Sequence, residues 1–310
     1  MAGCARSCGL WLAGWAVAAA GFYFFFSRIG ILDPVIYWAS AGAGLCAAAC
    51  VSYVIAIWNS WRERATLLDT VAGTPPDDGQ WVAVSGHIRA NSPLRTPLSG
   101  APAVAYEYKI SRTERSGKSS SDVAYYEGKA LAPSTIATRQ GTVRLLSVPT
   151  FDIDAEVIDH RVSVANALQY ISTTPFQTSH TPKDQKIGME QESTDDDGNF
   201  RVDKQHRDHD VDLEECNYHE KVIKQGEIVC AFGLYSMQRG GLIPHPNWAK
   251  QTRIMRGDAS AVARQLTKRI IKYTIGIVVF AAIAYGIFRL YEYNAIKELA
   301  AAVGDSGRWT

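Results

Sequence analysis

The residues with the clearest potential for chemistry are two pairs of metal-ligating side chains in a polar stretch. His206 and His209 are separated by two residues, and Cys216 and His219 repeat that spacing. Neutral imidazoles and a thiolate are the usual ligands of tetrahedral Zn²⁺. The alternative is a solvated charged loop followed by a strand that begins with an ordinary buried cysteine. Because repeated Cys-x-x-Cys knuckles are missing, the loop interpretation is favoured. If these residues do bind a metal ion, the sequence suggests zinc.

Other catalytic patterns are weaker. Four carboxylates lie close together between Phe151 and His160, but Ile153 and Val157 alternate with them as in a strand or turn with one wet face. The triplet Gly117-Lys118-Ser119 lacks the earlier glycine of a phosphate-binding loop. No serine stands in a Gly-x-Ser-x-Gly elbow. We therefore predict no catalytic residues and no organic cofactor.

Composition limits the choice of partners. The formal net charge is +1 and no basic-aromatic pattern is present, so we predict no nucleic-acid partner. The six cysteines are too few and too scattered for a disulfide framework.

Three apolar runs predict membrane-spanning helices: Gly9–Phe26, Val35–Trp58 and Ile270–Phe288. A cleaved signal peptide is the competing interpretation of the first run, although its apolar character continues past Ala18–Ala20 into Phe22–Phe26. Small residues in the second run permit close helix approach and could support a homo-oligomer. The predicted segments are 1–34 for the first span and its connector, 35–61 for the second span, 259–288 for an amphipathic lead-in and the third span, and 289–310 for a tail.

Positive charge next to the spans predicts their orientation. Arg62, Arg64, Arg264, Lys268, Arg269 and Lys272 all border the long polar region. We therefore predict a bacterial inner-membrane protein with residues 62–268 in the cytoplasm, the N-terminus also inside and the tail outside.

The polar region between the second and third spans predicts a β-rich domain at 78–258 after a linker at 62–77. Strand patterns occur at Asp78–Arg89, Val104–Ile110, Gly141–Ser147 and Val222–Tyr235. Helical spacing of apolar residues marks Val162–Ile171, and Leu242–Trp248 is predicted to be a closing turn. Residues 173–214 form a polar insert that is disordered, a hairpin tip or functional. The predicted fold is an α+β membrane protein with three transmembrane helices and an antiparallel, barrel-like soluble domain.

Two motifs carry a resemblance to a known family. The first is Gly86-His-Ile followed by Ser92-Pro-Leu-x-Thr-Pro-Leu-Ser-Gly-x-Pro-x-Val-x-Tyr106, and the second is Tyr218-His-Glu-Lys-Val-Ile-Lys-Gln-Gly-Glu-Ile-Val-Cys-Ala-Phe-Gly233. Together they resemble the GIDE, or "beside a membrane", domain of the MULAN-type membrane-anchored ubiquitin ligases, over roughly Asp78–Met255. The resemblance implies a membrane-tethered domain with no catalytic residues of its own.

The ligases of that family also carry a RING, which needs about eight Cys and His ligands in paired spacing. This chain has six cysteines, none after Cys230. We therefore predict a non-catalytic protein-recognition or scaffolding module with the bilayer and a membrane protein as partners, which binds through the loops Ser111–Asp122 and Thr173–Glu214. The alternatives are a component of a ubiquitin-ligase-like system that needs a RING in trans, and a membrane effector in stress or phage defence.

Overall fold

A computed structural model describes residues 2–29, 35–72, 76–116, 119–178, 193–194, 198–206, 211–245 and 251–306. The chain divides into two compact units, one made of Met1–Arg64 with Gln265–Thr310 and the other of Ala65–Arg264. The second unit begins 13 residues before the predicted domain start at 78 and ends six after its predicted end at 258.

The described helices of four residues or more are α1 (Ala2–Ile29), α2 (Val35–Ala72), α3 (His160–Thr173) and α4 (Ala259–Ser306). Two predicted boundaries change. Helix α2 continues to Ala72, so the linker expected at 62–77 is helical over most of its length. Helix α4 contains the predicted lead-in, the third span and most of the tail without interruption, because residues 289–306 continue the same helical run.

Small residues bring the helices of the first unit together. A Cβ on Gly44 of α2 would come within 2.7 Å of the Ala19 backbone of α1, and one on Gly276 of α4 would come within 2.9 Å of the Tyr53 ring of α2. Trp15 donates from Nε1 to the Ala41 carbonyl at 3.1 Å. Close approach at glycine is the packing expected of helices in lipid.

Two stretches of the described helices are long and apolar enough to cross a membrane, Tyr37–Asp69 and Ala259–Leu290. The prediction of three spans is therefore supported for two of them. The first predicted span does form a helix within α1.

The second unit is built mainly from strands. In chain order the described strands are β1 (Trp81–Ala90), β2 (Leu94–Arg95), β3 (Pro102–Ala103), β4 (Ala105–Ser116), β5 (Ser119–Leu131), β6 (Ser134–Thr138), β7 (Gly141–Leu145), β8 (Thr150–Phe151), β9 (Gln177–Thr178), β10 (Ser193–Thr194), β11 (Phe200–Gln205), β12 (Asn217–Ile223), β13 (Ile228–Ser236), β14 (Gly241–Ile243) and β15 (Arg253–Arg256).

Five of these strands close a barrel. Strand β1 pairs with β13 through Trp81–His87 and with β6 through His87–Ala90, so its two ends belong to different halves of the barrel. The circuit runs β1-β6-β7-β14-β13 and returns to β1. This strand order, with a parallel β7–β14 pair, is the connectivity of a small OB-type Greek-key barrel. Gly86 lies at the bend of β1, where a Cβ would collide with the Ala137 carbonyl oxygen.

The barrel prediction is confirmed, but the domain is not purely antiparallel. Strands β7 and β14, β8 and β15, and β9 and β11 pair in parallel. The predicted closing turn at Leu242 begins instead inside β14, because Leu242 is fully buried in the barrel core and paired with Leu145.

A second sheet has the order β10-β11-β5-β4-β12, with β9 also paired to β11. One of its faces packs against α3, which was predicted at Val162–Ile171 and is confirmed. Strand β11 lies inside the stretch predicted to be a polar insert, and its residues pair with β5 from Phe200 to Gln205. Part of that insert is therefore structural; 179–192, 195–197 and 207–210 lie outside the described residues.

Candidate functional site

The described metal candidates lie on different elements. His206 follows β11, and its Nε2 is 2.8 Å from Glu127 Oε1. Cys216 is buried at the end of a single 3-10 turn, Leu213–Glu215, with its Sγ 3.4 Å from the Asp212 carbonyl oxygen. His219 is exposed on β12. His209 lies outside the described residues.

The sheet separates the two described histidines. His219 is opposite Lys109 on β4, Lys109 is opposite Glu127 on β5, and Glu127 is opposite Lys204 on β11. Three strand-to-strand steps span roughly 14 Å, and His206 lies two residues beyond Lys204. The structure does not bring His206 and His219 together, and among the described residues no group of three His, Cys, Asp or Glu side chains is arranged to hold a metal ion. The zinc site stays a prediction.

Three of the four carboxylates between Phe151 and His160 have a structural partner. Asp159 caps α3 by accepting from the backbone N–H groups of Arg161 and Val162. Glu156 lies 3.0 Å from the Lys224 ammonium group and 3.7 Å from Arg256. Asp152 lies 3.8 Å from Arg253. Their spacing in the sequence therefore does not bring them into one acid–base site.

A buried polar network fastens α3 to the second sheet. Asp203 of β11 accepts hydrogen bonds from the hydroxyls of Tyr108 at 2.7 Å and Tyr170 at 2.9 Å, and from Arg201 Nε at 2.5 Å. Arg201 also donates to the Tyr170 hydroxyl at 2.8 Å. Tyr106 neighbours Tyr170, and burial raises the pKa of Tyr106 to about 12. The pKa of Tyr108 is also raised, mainly by burial and next by the negative charge of Asp203. These phenols are held neutral, so the network positions α3 and supplies no phenolate nucleophile.

Close packing of this network depends on a glycine. A Cβ on Gly128 of β5 would lie 2.4 Å from Asp203 Oδ1 and 2.7 Å from Tyr108 Cε1. Asp203 was missed by the sequence analysis because it was read as part of a polar loop. The strand alternation of Tyr106 and Tyr108 was a usable signal for one half of the network.

A second buried carboxylate holds the proline-rich turn. Glu220 of β12 has no exposed surface, and its carboxylate accepts from Leu98 N at 2.7 Å, Ser99 N at 3.1 Å and Ser99 Oγ at 2.5 Å. Leu98 and Ser99 lie in the first motif of the GIDE resemblance and Glu220 in the second. The two motifs, more than a hundred residues apart, therefore form one structural clamp.

The outer face of the second sheet carries a regular charge pattern, which we call the lysine–glutamate face. Glu107 on β4 has a lysine opposite it on each neighbouring strand, Lys221 on β12 and Lys129 on β5. Glu127 on β5 is likewise flanked by Lys109 and Lys204. Directly opposed side chains are close enough to interact, so each glutamate is partly neutralised by two lysines. With Asp122, whose carboxylate lies 4.0 Å from Lys109, the face has four lysines and three carboxylates, which leaves it net positive.

A shallow cleft of about 200 Å³ lies on this face. It is lined by the charged residues Glu107, Lys109, Glu127, Lys129 and Lys204, together with Tyr108, Gly128 and Val202. His206 adds a donor at one side, and its hydrogen bond holds the pKa of the Glu127 carboxyl below its ordinary value. The cleft therefore presents charged groups of both signs to solvent.

A scan against protein-family models, a search of curated proteins and a search of solved structures each found no match to this chain.

Proposed function

We propose that this protein is a membrane-anchored, non-catalytic recognition module that binds an acidic or mixed-charge segment of a partner protein on its lysine–glutamate face. The observation that carries this proposal is the pairing of Glu107 and Glu127 with lysines on both sides around the cleft. A bound carboxylate can replace one of these glutamates as partner of a lysine, while the other glutamate selects a basic neighbour on the bound segment.

The rigidity of the sheet supports this use of its outer face. The opposite face is fastened to α3 through Asp203, and Glu220 fixes the turn at Leu98 and Ser99. A preorganised surface loses less conformational entropy on binding than a mobile loop. Recognition therefore depends on strand side chains as well as on the two loops that the sequence suggested.

The buried polar groups favour binding over catalysis. Asp203, Glu220 and the neutral tyrosines are engaged with other groups of the fold, and burial raises the pKa of the Cys230 thiol to about 12. A thiol with a raised pKa is a poor nucleophile at neutral pH.

Charge reversal on the face tests the proposal. The double variant Lys109→Glu, Lys129→Glu is expected to lower binding of membrane partners at least about tenfold, since two charge-assisted contacts become repulsive. Binding is measured by photo-cross-linking in native membranes from a probe placed at Asn217, an exposed uncharged residue of β12, followed by mass spectrometry of the conjugates.

The control is Arg139→Glu, which reverses one charge, where the double variant reverses two, at an exposed turn between β6 and β7. It should keep the wild-type cross-links. Equal cross-linking by the double variant and wild type would refute the role of this face.

We also propose that α1 is a third span and that the Ala65–Arg264 unit lies in the cytoplasm of a bacterial cell. Support for the span comes from the contacts of α1 with α2 at Gly44 and Ala41. Support for the orientation comes from the basic residues that border the polar region. Tethering at both ends raises the effective concentration of the module toward membrane partners.

Cysteine labelling tests this arrangement. In a chain whose only cysteine is Cys4, a membrane-impermeant maleimide is expected to leave intact cells unlabelled, because α1 returns the N-terminus to the inside. A single cysteine at Ser27 should be labelled from outside, and one at Ser121 should be protected until the cells are lysed. Labelling of Cys4 in intact cells together with Ser27→Cys would show that α1 does not cross.

A further inference from the structure

One stripe of α2 faces α4 along the first unit. Gly42 lies against Ile287, the Cys50 thiol lies 4.0 Å from the Ile277 carbonyl oxygen, and Tyr53 packs on Gly276. As the residue number on α2 rises, the number of the residue that it contacts on α4 falls, so the two helices are antiparallel. Gly42 and Tyr53 are eleven residues apart, which is about three helical turns. Eleven residues further, the same stripe reaches Arg64.

Arg64 is unusual among the residues of this stripe. Its Nε is buried and has no hydrogen-bond partner among the described residues. Ser60, one turn earlier, is also buried, at 8% exposure, and Leu266 on α4 is fully buried. Arginine is always charged and has five N–H donors. A buried donor without an acceptor is costly, so its presence points to an acceptor that binds from outside the chain.

The surroundings of Arg64 indicate where that acceptor comes from. Trp58 and Trp61 are more than half exposed and lie within two turns of Arg64, with ring centroids 5.8 Å apart. Exposed tryptophans at the end of an apolar helix occupy the headgroup level of a bilayer. Lipid phosphate groups lie at this depth, where their oxygens can accept from a guanidinium group.

A second cation lies at the same level. The antiparallel register places Lys268 of α4 within about one helical turn of the level of Arg64. Lys268 is exposed, and Lys272 follows one turn deeper. The neighbouring acid, Glu63, lies about 100° around α2 from Arg64. A phosphate bound where α2 contacts α4 at this level would thus lie near a guanidinium and an ammonium group, the usual partners of a headgroup phosphate.

We propose that Arg64, with Lys268, forms a binding site for the phosphate of an anionic phospholipid headgroup at the α2–α4 seam. This inference rests on the membrane placement proposed above. The lipid phosphate supplies acceptors to the Arg64 guanidinium group, whose Nε has no partner among the described residues, and it fixes the contact between α2 and α4 at the headgroup level. The specificity comes from a bidentate guanidinium contact, which neutral zwitterionic lipids satisfy less well because their own ammonium group competes.

The test uses the full chain in detergent and Arg64→Gln, with Arg62→Gln as the matched control because it removes the same charge from an exposed position. Native mass spectrometry measures retained phosphatidylglycerol against phosphatidylcholine. Wild type and Arg62→Gln should retain the anionic lipid, and Arg64→Gln should retain at least about tenfold less, as expected for loss of one charge-assisted contact. Arg64→Lys, which keeps the charge, should retain more than Arg64→Gln and also covers the case in which the glutamine variant fails to fold.

Three results would overturn the inference. Equal retention by Arg64→Gln and wild type would remove Arg64 from the site. Displacement of the lipid by inorganic phosphate, with the same rise in thermal stability in lipid-free detergent, would assign the site to a soluble phosphate. Equal retention of both lipids by wild type would remove the headgroup specificity. Release of wild type from membranes by alkaline carbonate would instead contradict the membrane placement itself.

Discussion

Replacing Glu220 with alanine is expected to destabilise the Ala65–Arg264 unit by about 3 to 5 kcal/mol, because three donors lose their acceptor in a site closed to water. The donors are Leu98 N, Ser99 N and Ser99 Oγ. For a unit of this size the loss corresponds to a fall in melting temperature of about 10 °C. Pulse proteolysis of the full chain in urea, scored by cleavage within 65–264, measures the change in the free energy of unfolding.

Two further variants make this result specific. Ser99→Ala removes one hydroxyl donor and leaves the two amides bound, so it should cost only about 1 kcal/mol. Glu214→Ala removes an exposed carboxylate from the neighbouring 3-10 turn and should change stability by less than about 0.5 kcal/mol. If Glu220→Ala were no less stable than Glu214→Ala, the clamp between the two motifs would have no energetic role.

The second large effect is expected at alkaline pH. The pKa of Tyr106 is raised to about 12, and burial together with nearby negative charge raises those of Tyr108 and Tyr170 above their ordinary value of 10.0. Below pH 10 the folded and unfolded states both hold these phenol protons. Above it the unfolded chain releases them first, so stability falls as pH rises toward the folded pKa values. Each group contributes about 1 kcal/mol between pH 10 and 11, because the unfolded phenol is half ionised at its pKa of 10, and the three together contribute about 3 kcal/mol.

Urea midpoints from pH 8 to pH 11 measure this loss, and tyrosinate absorbance reports when the phenols ionise. Tyr106→Phe is the informative variant, because the hydrogen bond between the Tyr106 and Tyr170 hydroxyls is long, at 3.3 Å. It should reduce the alkaline slope by the contribution of one group, since Tyr218 and Cys230, whose pKa values are also raised by burial, keep theirs, and it should cost little at neutral pH. Tyr285→Phe, on an exposed face of α4, should leave the slope unchanged. A slope that does not respond to Tyr106→Phe would mean that this phenol does not control alkaline unfolding.

These two effects concern the parts of the molecule that support the proposed binding face. Glu220 belongs to β12 and the tyrosines to β4 and α3, so their loss is expected to disorder the sheet on which Lys109 and Lys129 lie. Partner binding through the lysine–glutamate face should therefore fall along with stability in Glu220→Ala. In the charge-reversal variant binding should fall strongly while stability falls less than in Glu220→Ala, because like charges opposed across strands are only modestly destabilising. That contrast separates a direct contact from a structural effect.

Apolar length and residue period were enough to predict the main elements. The long apolar runs predicted α2 and α4, because a helix that crosses lipid must be apolar on all sides. Alternation of apolar and polar residues predicted β1 and β4, and 3.6-residue spacing predicted α3, since one face of each is buried. These are local signals that need no knowledge of a partner strand.

The tertiary structure decided what local signals do not contain. The pattern at 200–205 looked like a polar loop because Arg201, Asp203 and Lys204 are charged, yet these residues form β11, where Asp203 is stabilised by tyrosines on β4 and α3. The equal His-x-x-His and Cys-x-x-His spacings suggested that these side chains bind one metal ion. Strands β4 and β5, however, lie between His206 and His219. Spacing along a chain determines which side chains share a face of one element, whereas strand order determines which elements meet. For this protein the sequence specified the apolar parts of α2 and α4, helix α3, strands β1 and β4 and the two motifs. The order of strands in the sheets placed Glu220 under the proline-rich turn and the lysines around their glutamates.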